Sequence, residues 1–378
     1  MEMSSIPDAR PLVDQILGAA LSRMASDIHV EPAADGCEIR FRIDGLLETQ
    51  QRLDSAVGRA VVTRMMVMAR LLTYRLDVPQ EGRLALPRGA ASGEAATEEV
   101  EGSAEARLSV MPTIHGLRAA VRMPAEYMQP AVLHDLGLPP RVLKGLLDFA
   151  GADAGMLILT GPAGSGKTTT IYALLTHIVR TNGALSIVTL EDPVERDLRG
   201  ITQIEVSPFG QLTYEKAMRS ILRQDPQVLM IGEIRDAATA SLAVQAALSG
   251  HRLITTLHAA TPGGAVARLL EMGIEPYQLT SSIYGVVSQR LARKRNPQKN
   301  LEKSGYCGRI PFAELVIMDA ALKKAVLERS DADGLKRIYA KQPAYQSLAE
   351  SGEEMVGAGL TDDAELRRVL GAGEQKTQ

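Results

Sequence analysis

The stretch GPAGSGKTTT, residues 161–170, follows the apolar run MLILT of residues 156–160 without a break. It satisfies the pattern G-x-x-x-x-G-K-[ST] at Gly161, Gly166, Lys167 and Thr168. Its setting agrees with its spelling: a short apolar strand precedes it and a helical pattern follows. Glycines let such a loop fold back so that its N–H groups converge on phosphate oxygens. The helix N-terminus behind it adds partial positive charge. Gly161, Pro162, Ala163, Gly164, Ser165, Gly166, Lys167, Thr168 and Thr169 are therefore the candidate nucleotide cradle. Lys167 is placed to reach the β- and γ-phosphates of ATP, and the Thr168 hydroxyl to hold Mg2+.

Outward from the loop, apolar runs at 185–190, 228–231 and 253–257 have the look of buried parallel strands. Helical patterns at about 167–180, 213–223, 236–249, 263–272 and 277–292 separate or follow them. That alternation predicts an open α/β sheet with right-handed crossovers. Hydrolysis also needs acids that hold metal and orient water, and two segments offer them. TLEDPVE, residues 189–195, carries Glu191, Asp192 and Glu195. VLMIGEIRD, residues 228–236, runs through four apolar residues to Glu233. His251 and His258 bracket the strand pattern 252–257, and His258 falls at its C-terminal end, where ligands gather in open α/β sheets.

Before residue 125 the pattern differs. Residues 11–24 carry apolar positions at helical spacing, while Ile28, Val30, Ile39, Phe41 and Ile43 alternate with polar residues as strands do. A second helix is predicted over 55–73. This reads as a small α+β domain at 1–125, interrupted by a mobile insertion at 88–106 that is poor in large apolar residues. Domains are predicted at 1–125 and 135–295, with a linker at 126–134 and a helical segment at 296–378.

The 378 residues are 45% hydrophobic and 23% charged, with a formal net charge of −3, as in a soluble multidomain protein. No stretch approaches the roughly 18 apolar residues of a membrane helix. The two cysteines, Cys37 and Cys307, build no disulfide framework, which predicts a cytoplasmic chain. Acidic balance, no Trp and only four Phe argue against nucleic acid as the partner. The basic run Arg290, Arg293, Lys294 and Arg295 reads as the solvated end of a helix.

These motifs resemble the ATPases of type II secretion and type IV pilus assembly (GspE/PilB-like) over about residues 12–371. ASDIHVEP (25–32), FRIDG (41–45) and PQEGR (79–83) match the N-terminal domain of that family. IVTLEDPVE (187–195) resembles its acidic box, IGEIRD (231–236) its Walker B region, and 250–258 its histidine box. GYCGR (305–309) and GLT (359–361) match its C-terminal domain. The resemblance implies a small N-terminal α+β domain followed by a RecA-like P-loop domain with a helical C-terminal segment. It implies a homohexameric, ATP-hydrolysing ring, peripheral to the inner membrane, that drives a polytopic platform protein. Glu233 would be the catalytic glutamate, aided by His258 and His251, with Thr168, Glu191, Glu195 and Glu233 around Mg2+. Arg83, Arg107 and Arg122 would neutralise phosphate charge, with Arg118 a weaker candidate.

Three departures from the family pattern stand out. KRNPQKNLEKSGYCG (294–308) replaces the tetracysteine module of long members, so no zinc is expected. The chain begins almost at ASDIHVEP, which reads as a form without the extra docking domain of long members. Leu117 stands where Glu is usual, and Asp77 where a basic residue is usual. Pilus retraction by the same superfamily and nucleic-acid translocation are the alternative readings.

Overall fold

The computed structural model describes residues 8–86, 105–124, 132–206, 210–296, 305–343 and 345–371. The expected insertion at 88–106 falls outside these residues except for its last two, and so does 126–131 of the expected linker. The chain divides into two units, Met1–Gln129 and Pro130–Gln378.

In the first unit, helix α1 (Arg10–Ser22) precedes strands β1 (Asp27–Ala33), β2 (Gly36–Ile43) and β3 (Leu46–Leu53). Helix α2 (Ser55–Met68) leads to β4 (Gln80–Ala85), β5 (Glu105–Thr113) and β6 (Gly116–Arg122). The strands form one antiparallel sheet in the order β3-β2-β1-β6-β5-β4. Alternation decides what each face does. Ile28, Val30, Ile39, Phe41, Leu84, Leu108 and Val121 turn inward and pack with Val13, Leu17, Val61 and Met65 of the helices. The intervening residues face away from that core. The second helix stops at Met68, short of the predicted residue 73, where the chain turns through Arg70 at φ 57°.

The second unit starts with a 3-10 turn (Leu133–Leu136) and α3 (Pro140–Ala150). Then follow β7 (Gly155–Thr160), α4 (Lys167–Thr181), β8 (Ile187–Glu191), β9 (Thr202–Glu205), α5 (Tyr214–Ile221) and β10 (Val228–Ile231). Next come α6 (Ala237–Leu248), β11 (Arg252–Leu257), α7 (Pro262–Glu271), α8 (Pro276–Ser282), β12 (Ile283–Arg295) and β13 (Tyr306–Ile317). Helices α9 (Ala320–Leu327), α10 (Ala332–Tyr339), α11 (Leu348–Gly357) and α12 (Asp363–Leu370) end the chain. The sheet order is β13-β12-β7-β11-β10-β8-β9, parallel except for the β12–β13 pair.

Both faces of this sheet are covered, which is why its strands are apolar throughout. Leu157, Leu159, Met230, Ile254 and Val287 pack on one side with Val142, Leu146, Ile171 and Leu174 of α3 and α4. Met156, Ile158, Leu229, Ile231 and Leu253 pack on the other with residues of α5 to α10.

One predicted helix is wrong. Residues 277–292 are helical only to Ser282, and Ile283 opens a 13-residue strand beside β7. Leu279, Ile283, Val286 and Arg290 fit a helical stripe, and a strand buried on both faces presents no alternation to contradict it. The basic run therefore lies on a strand, not at a solvated helix end. Arg290 is buried, and Arg293 pairs with the buried Glu365 at 2.8 Å. For the same reason 296–378 is not wholly helical, because β13 joins the central sheet.

Candidate active site

The phosphate loop leaves β7 at its C-terminal edge and enters α4. Gly161 sits at φ +144°, and a Cβ there would lie 2.5 Å from the Gln289 carbonyl oxygen. Gly166, the N-cap of α4, sits at φ +87°, with a Cβ position 2.8 Å from Gln289 Nε2. Only glycine meets both demands. Gln289 is buried and bridges the loop: its Nε2 donates to Ser165 O at 2.8 Å, and its Oε1 accepts from Thr170 Oγ1 at 2.9 Å. Lys167 Nζ donates to the loop carbonyls of Gly161 (2.7 Å) and Pro162 (2.9 Å). Burial pushes its ammonium below its ordinary value; Glu233 opposes the fall and Arg290 adds to it. Ser165 Oγ is buried without a hydrogen-bond partner, while Thr168 and Thr169 are exposed.

Glu233 is set at the exit of β10 by the backbone on either side of it. Gly232 N donates to Leu190 O (2.7 Å), Thr256 Oγ1 donates to Gly232 O (2.7 Å), and Ile234 N donates to Thr256 O (3.0 Å). The carboxylate is mostly buried; its Oε1 lies 2.8 Å from His258 Nε2, and its Oε2 accepts from Arg235 Nε at 2.6 Å. Asp236 closes the motif as the N-cap of α6, accepting from Thr239 N. His258 and Glu233 thus meet at the same sheet edge as the phosphate loop.

His251 does not join them. It precedes β11 at the opposite end, where Arg252 lies level with Gly155 while Leu257 lies level with Thr160. Six strand residues at about 3.3 Å each put roughly 20 Å between the two histidines. His251 Nδ1 instead meets Ala246 O at 2.9 Å. Its assignment to the catalytic group is corrected by this separation.

Glu191 ends β8 at the right edge, but its carboxylate is engaged by three side chains. Tyr172 OH hydrogen-bonds to its Oε2, while Thr189 Oγ1 (2.7 Å) and Gln203 Nε2 (3.0 Å) donate to its Oε1. Burial and that carboxylate drive the Tyr172 phenol far above its ordinary range. Tyr172 OH also accepts from Glu195 N at 3.2 Å, so the acidic segment is tied to the helix behind the phosphate loop. The Glu195 side chain is exposed.

The three arginines predicted in the first unit form one row. Arg83 faces Arg107 across β4–β5, and Arg107 faces Arg122 across β5–β6. All three are exposed, on the face away from the helices. Arg83 pairs with Glu105 at 3.1 Å. The row continues through Asp27 to Arg42, whose Nε lies 3.3 Å from the Asp27 carboxylate. Arg118 is spent elsewhere, on Glu31 Oε1 at 3.0 Å and His29 Nδ1 at 3.0 Å. Like charges directly opposite one another across an antiparallel pair are unfavourable. Gln289 of β12, Tyr172 of α4 and Arg235 between β10 and α6 also line the site; no local sequence signal marks them, and only their contacts reveal them.

A doubly covered parallel sheet with a phosphate loop, and a glutamate and histidine paired at the loop's edge, defines a RecA-like P-loop ATPase. Residues 4–368 match the family described as Type II/IV secretion system protein. Type II secretion system protein HxcR of Pseudomonas aeruginosa is 37% identical, with 97% of this chain and 81% of that one covered. Type II secretion system ATPase E of Vibrio cholerae is 36% identical, covering 95% and 74%. The X-ray structure of the Legionella pneumophila ATPase DotB shares the fold, with a TM-score of 0.75 at 19% identity, covering 96% and 97%. The chain belongs to the Type II/IV secretion system protein family.

Proposed function

We propose that this chain is the ATP-hydrolysing subunit of a homohexameric ring motor that powers type II secretion or assembly of a type IV pilus-like filament. The observation that carries the reading is the Glu233–His258 pair at the mouth of a complete phosphate loop. Family membership directs the motor to secretion or pilus assembly. As in that family, it would act at the inner membrane through a polytopic platform protein, held there by partners. Among the described residues no helix is long and apolar enough to cross a membrane.

The loop N–H groups of 163–169 receive the triphosphate oxygens. Lys167 exchanges its two carbonyl partners for the β- and γ-phosphates, offsetting charge that develops on the departing ADP oxygen. Glu233 orients water toward the γ-phosphorus, and His258 fixes the rotamer of that carboxylate. The oxygen donors of Thr168, Glu233 and Glu195 suit a hard divalent cation. The three hydrogen bonds on Glu191 make it a support for that group, not a first choice of ligand. Mg2+, held there, would neutralise charge on the triphosphate. The row Arg83, Arg107, Arg122 supplies further phosphate contacts in the assembled ring, since guanidinium planes bind phosphate oxygens bidentately.

The test is ATP turnover and ATP binding by the full chain. Lys167→Ala is expected to lose binding. Glu233→Gln is expected to bind ATP normally and turn it over roughly a hundredfold more slowly or worse, as for loss of a principal transition-state group. A Glu233→Gln enzyme working at the parent rate removes the assignment.

A further inference from the structure

Glu233 lies in a chain of four charged or polar groups, of which the proposed mechanism uses two. Arg235, two residues on, donates from Nε to Glu233 Oε2 at 2.6 Å, and its NH1 reaches Asp192 Oδ2 at 3.4 Å. Glu233 and Asp192 are mostly buried, with side chains 16% and 21% exposed; Arg235 is 57% exposed. Tyr214 stands beside them: burial first, then the Asp192 charge, push its phenol up to about 12. Its two carboxylates come from different strand exits, Asp192 after β8 and Glu233 after β10, and these strands are hydrogen-bonded neighbours.

A carboxylate on a short flexible side chain has two oxygens and a broad terminal torsion. His258 constrains one oxygen of Glu233. With only that contact the carboxylate plane could still turn about the Oε1–His258 axis. The Arg235 guanidinium removes this freedom, because its planar fork fixes direction as well as distance. Asp192 in turn stops the exposed arginine from swinging into solvent. The geometry points to Arg235 as a positioning residue for ATP hydrolysis, anchored by Asp192, that sets the plane in which Glu233 holds water.

This rests on the reading of Glu233 as the water-orienting group. A residue acting this way lowers turnover and spares substrate affinity, since the loop amides and Lys167 do the binding. In the full-length protein Arg235→Ala is expected to lower kcat roughly tenfold or more, the range for losing one hydrogen bond to a charged group, with the ATP Kd within twofold. Arg235→Lys keeps one donor and is expected to recover part of the loss. Asp192→Asn is expected to lower kcat by less, and to add nothing on the Arg235→Ala background, because Asp192 acts only through the arginine. Arg235→Ala is likewise expected to add nothing to Glu233→Gln.

The unchanged Kd serves as the folding control. If Glu233→Gln is inactive and Arg235→Ala turns over at the parent rate, the positioning role is overturned while the catalytic reading stands. If Asp192→Asn and Arg235→Ala multiply, the anchoring step is overturned. If Glu233→Gln keeps parental turnover, both readings fall together.

Discussion

Replacing Gln289 by Glu tests whether strand β12 shapes the phosphate loop. The side chain is 1% exposed and makes two bonds, donating to Ser165 O and accepting from Thr170 Oγ1. Glutamate has the same outline and keeps the acceptor for Thr170. It replaces the amide donor with an oxygen that faces the Ser165 carbonyl. One neutral hydrogen bond contributes about 1 kcal/mol, and a buried carbonyl left unpaired costs a further 1 to 3 kcal/mol. The phosphate-ready loop should therefore lose about 2 to 4 kcal/mol relative to open alternatives. Apparent ATP affinity falls with the fraction of loops still competent, by up to roughly thirtyfold for each 2 kcal/mol. Isothermal titration calorimetry on the full-length protein at pH 8 reads this directly, and hydrogen exchange over 161–170 should show faster amides. A buried carboxylic acid that regains its proton regains the donor, so affinity should partly recover near pH 5.5. An unchanged Kd with unchanged exchange in the loop would refute the argument, since the loop would then hold its shape without Gln289.

The arginine row separates function from stability. Arg107→Ala with Arg122→Ala should leave the first unit as stable or up to about 1 kcal/mol more so, because opposed like charges are removed, while ATPase activity of the full chain drops; a lower melting temperature with unaltered turnover would assign the row a purely structural part. Glu365 carries the pH dependence. Burial opposes its ionisation, but hydrogen bonds from Arg368 and Arg293 outweigh this and hold the carboxyl at about 2, against an ordinary 4.5. A depressed folded value contributes stability that is fully present above pH 4.5 and is lost as pH falls toward 2. The side chain is fully buried, so the contribution at neutral pH is roughly 3 kcal/mol. Glu365→Gln should lower the resistance of α12 to hydrogen exchange at pH 7 and flatten its acid dependence; equal protection in both proteins at pH 7 would contradict this.

What the sequence made legible, and what it hid, follow from how local each signal is. The phosphate loop is a contiguous turn with three glycines in backbone conformations other residues avoid, so spelling and conformation coincide. Glu233 follows four buried apolar residues, and strand ends mark the ligand edge of a parallel sheet. His258 passed the same test. His251 failed it because one histidine on each side of a strand looks alike in sequence, whereas the strand's direction sends them to opposite edges. The cross-strand row of Arg83, Arg107 and Arg122 could be nominated only by resemblance, since its alignment depends on the pairing registers of three strands, which no local pattern states.

Strand β12 was the largest misreading, and its consequences reach the site. Had 283–292 been helical, Gln289 would sit on a helix and Arg293 in solvent. As a strand, the segment lies between β7 and β13, and its residues do successive tasks along its length. Ser288 Oγ meets Thr160 Oγ1 at 2.7 Å, and Gln289 grips the phosphate loop. Four residues on, Arg293 N and Nε donate to Glu365 of α12, each at 2.9 Å, and its carbonyl accepts from Thr361. The C-terminal helices are thus fastened to the strand that supports the nucleotide cradle. A closed-packed sheet transmits displacement better than a loop does, because its elements shift between discrete packings. Gln289 thus puts β12 in direct contact with any change in loop shape. The cluster of Phe312, Leu348, Met355 and Leu366 around Ala292 lies at the end of that strand.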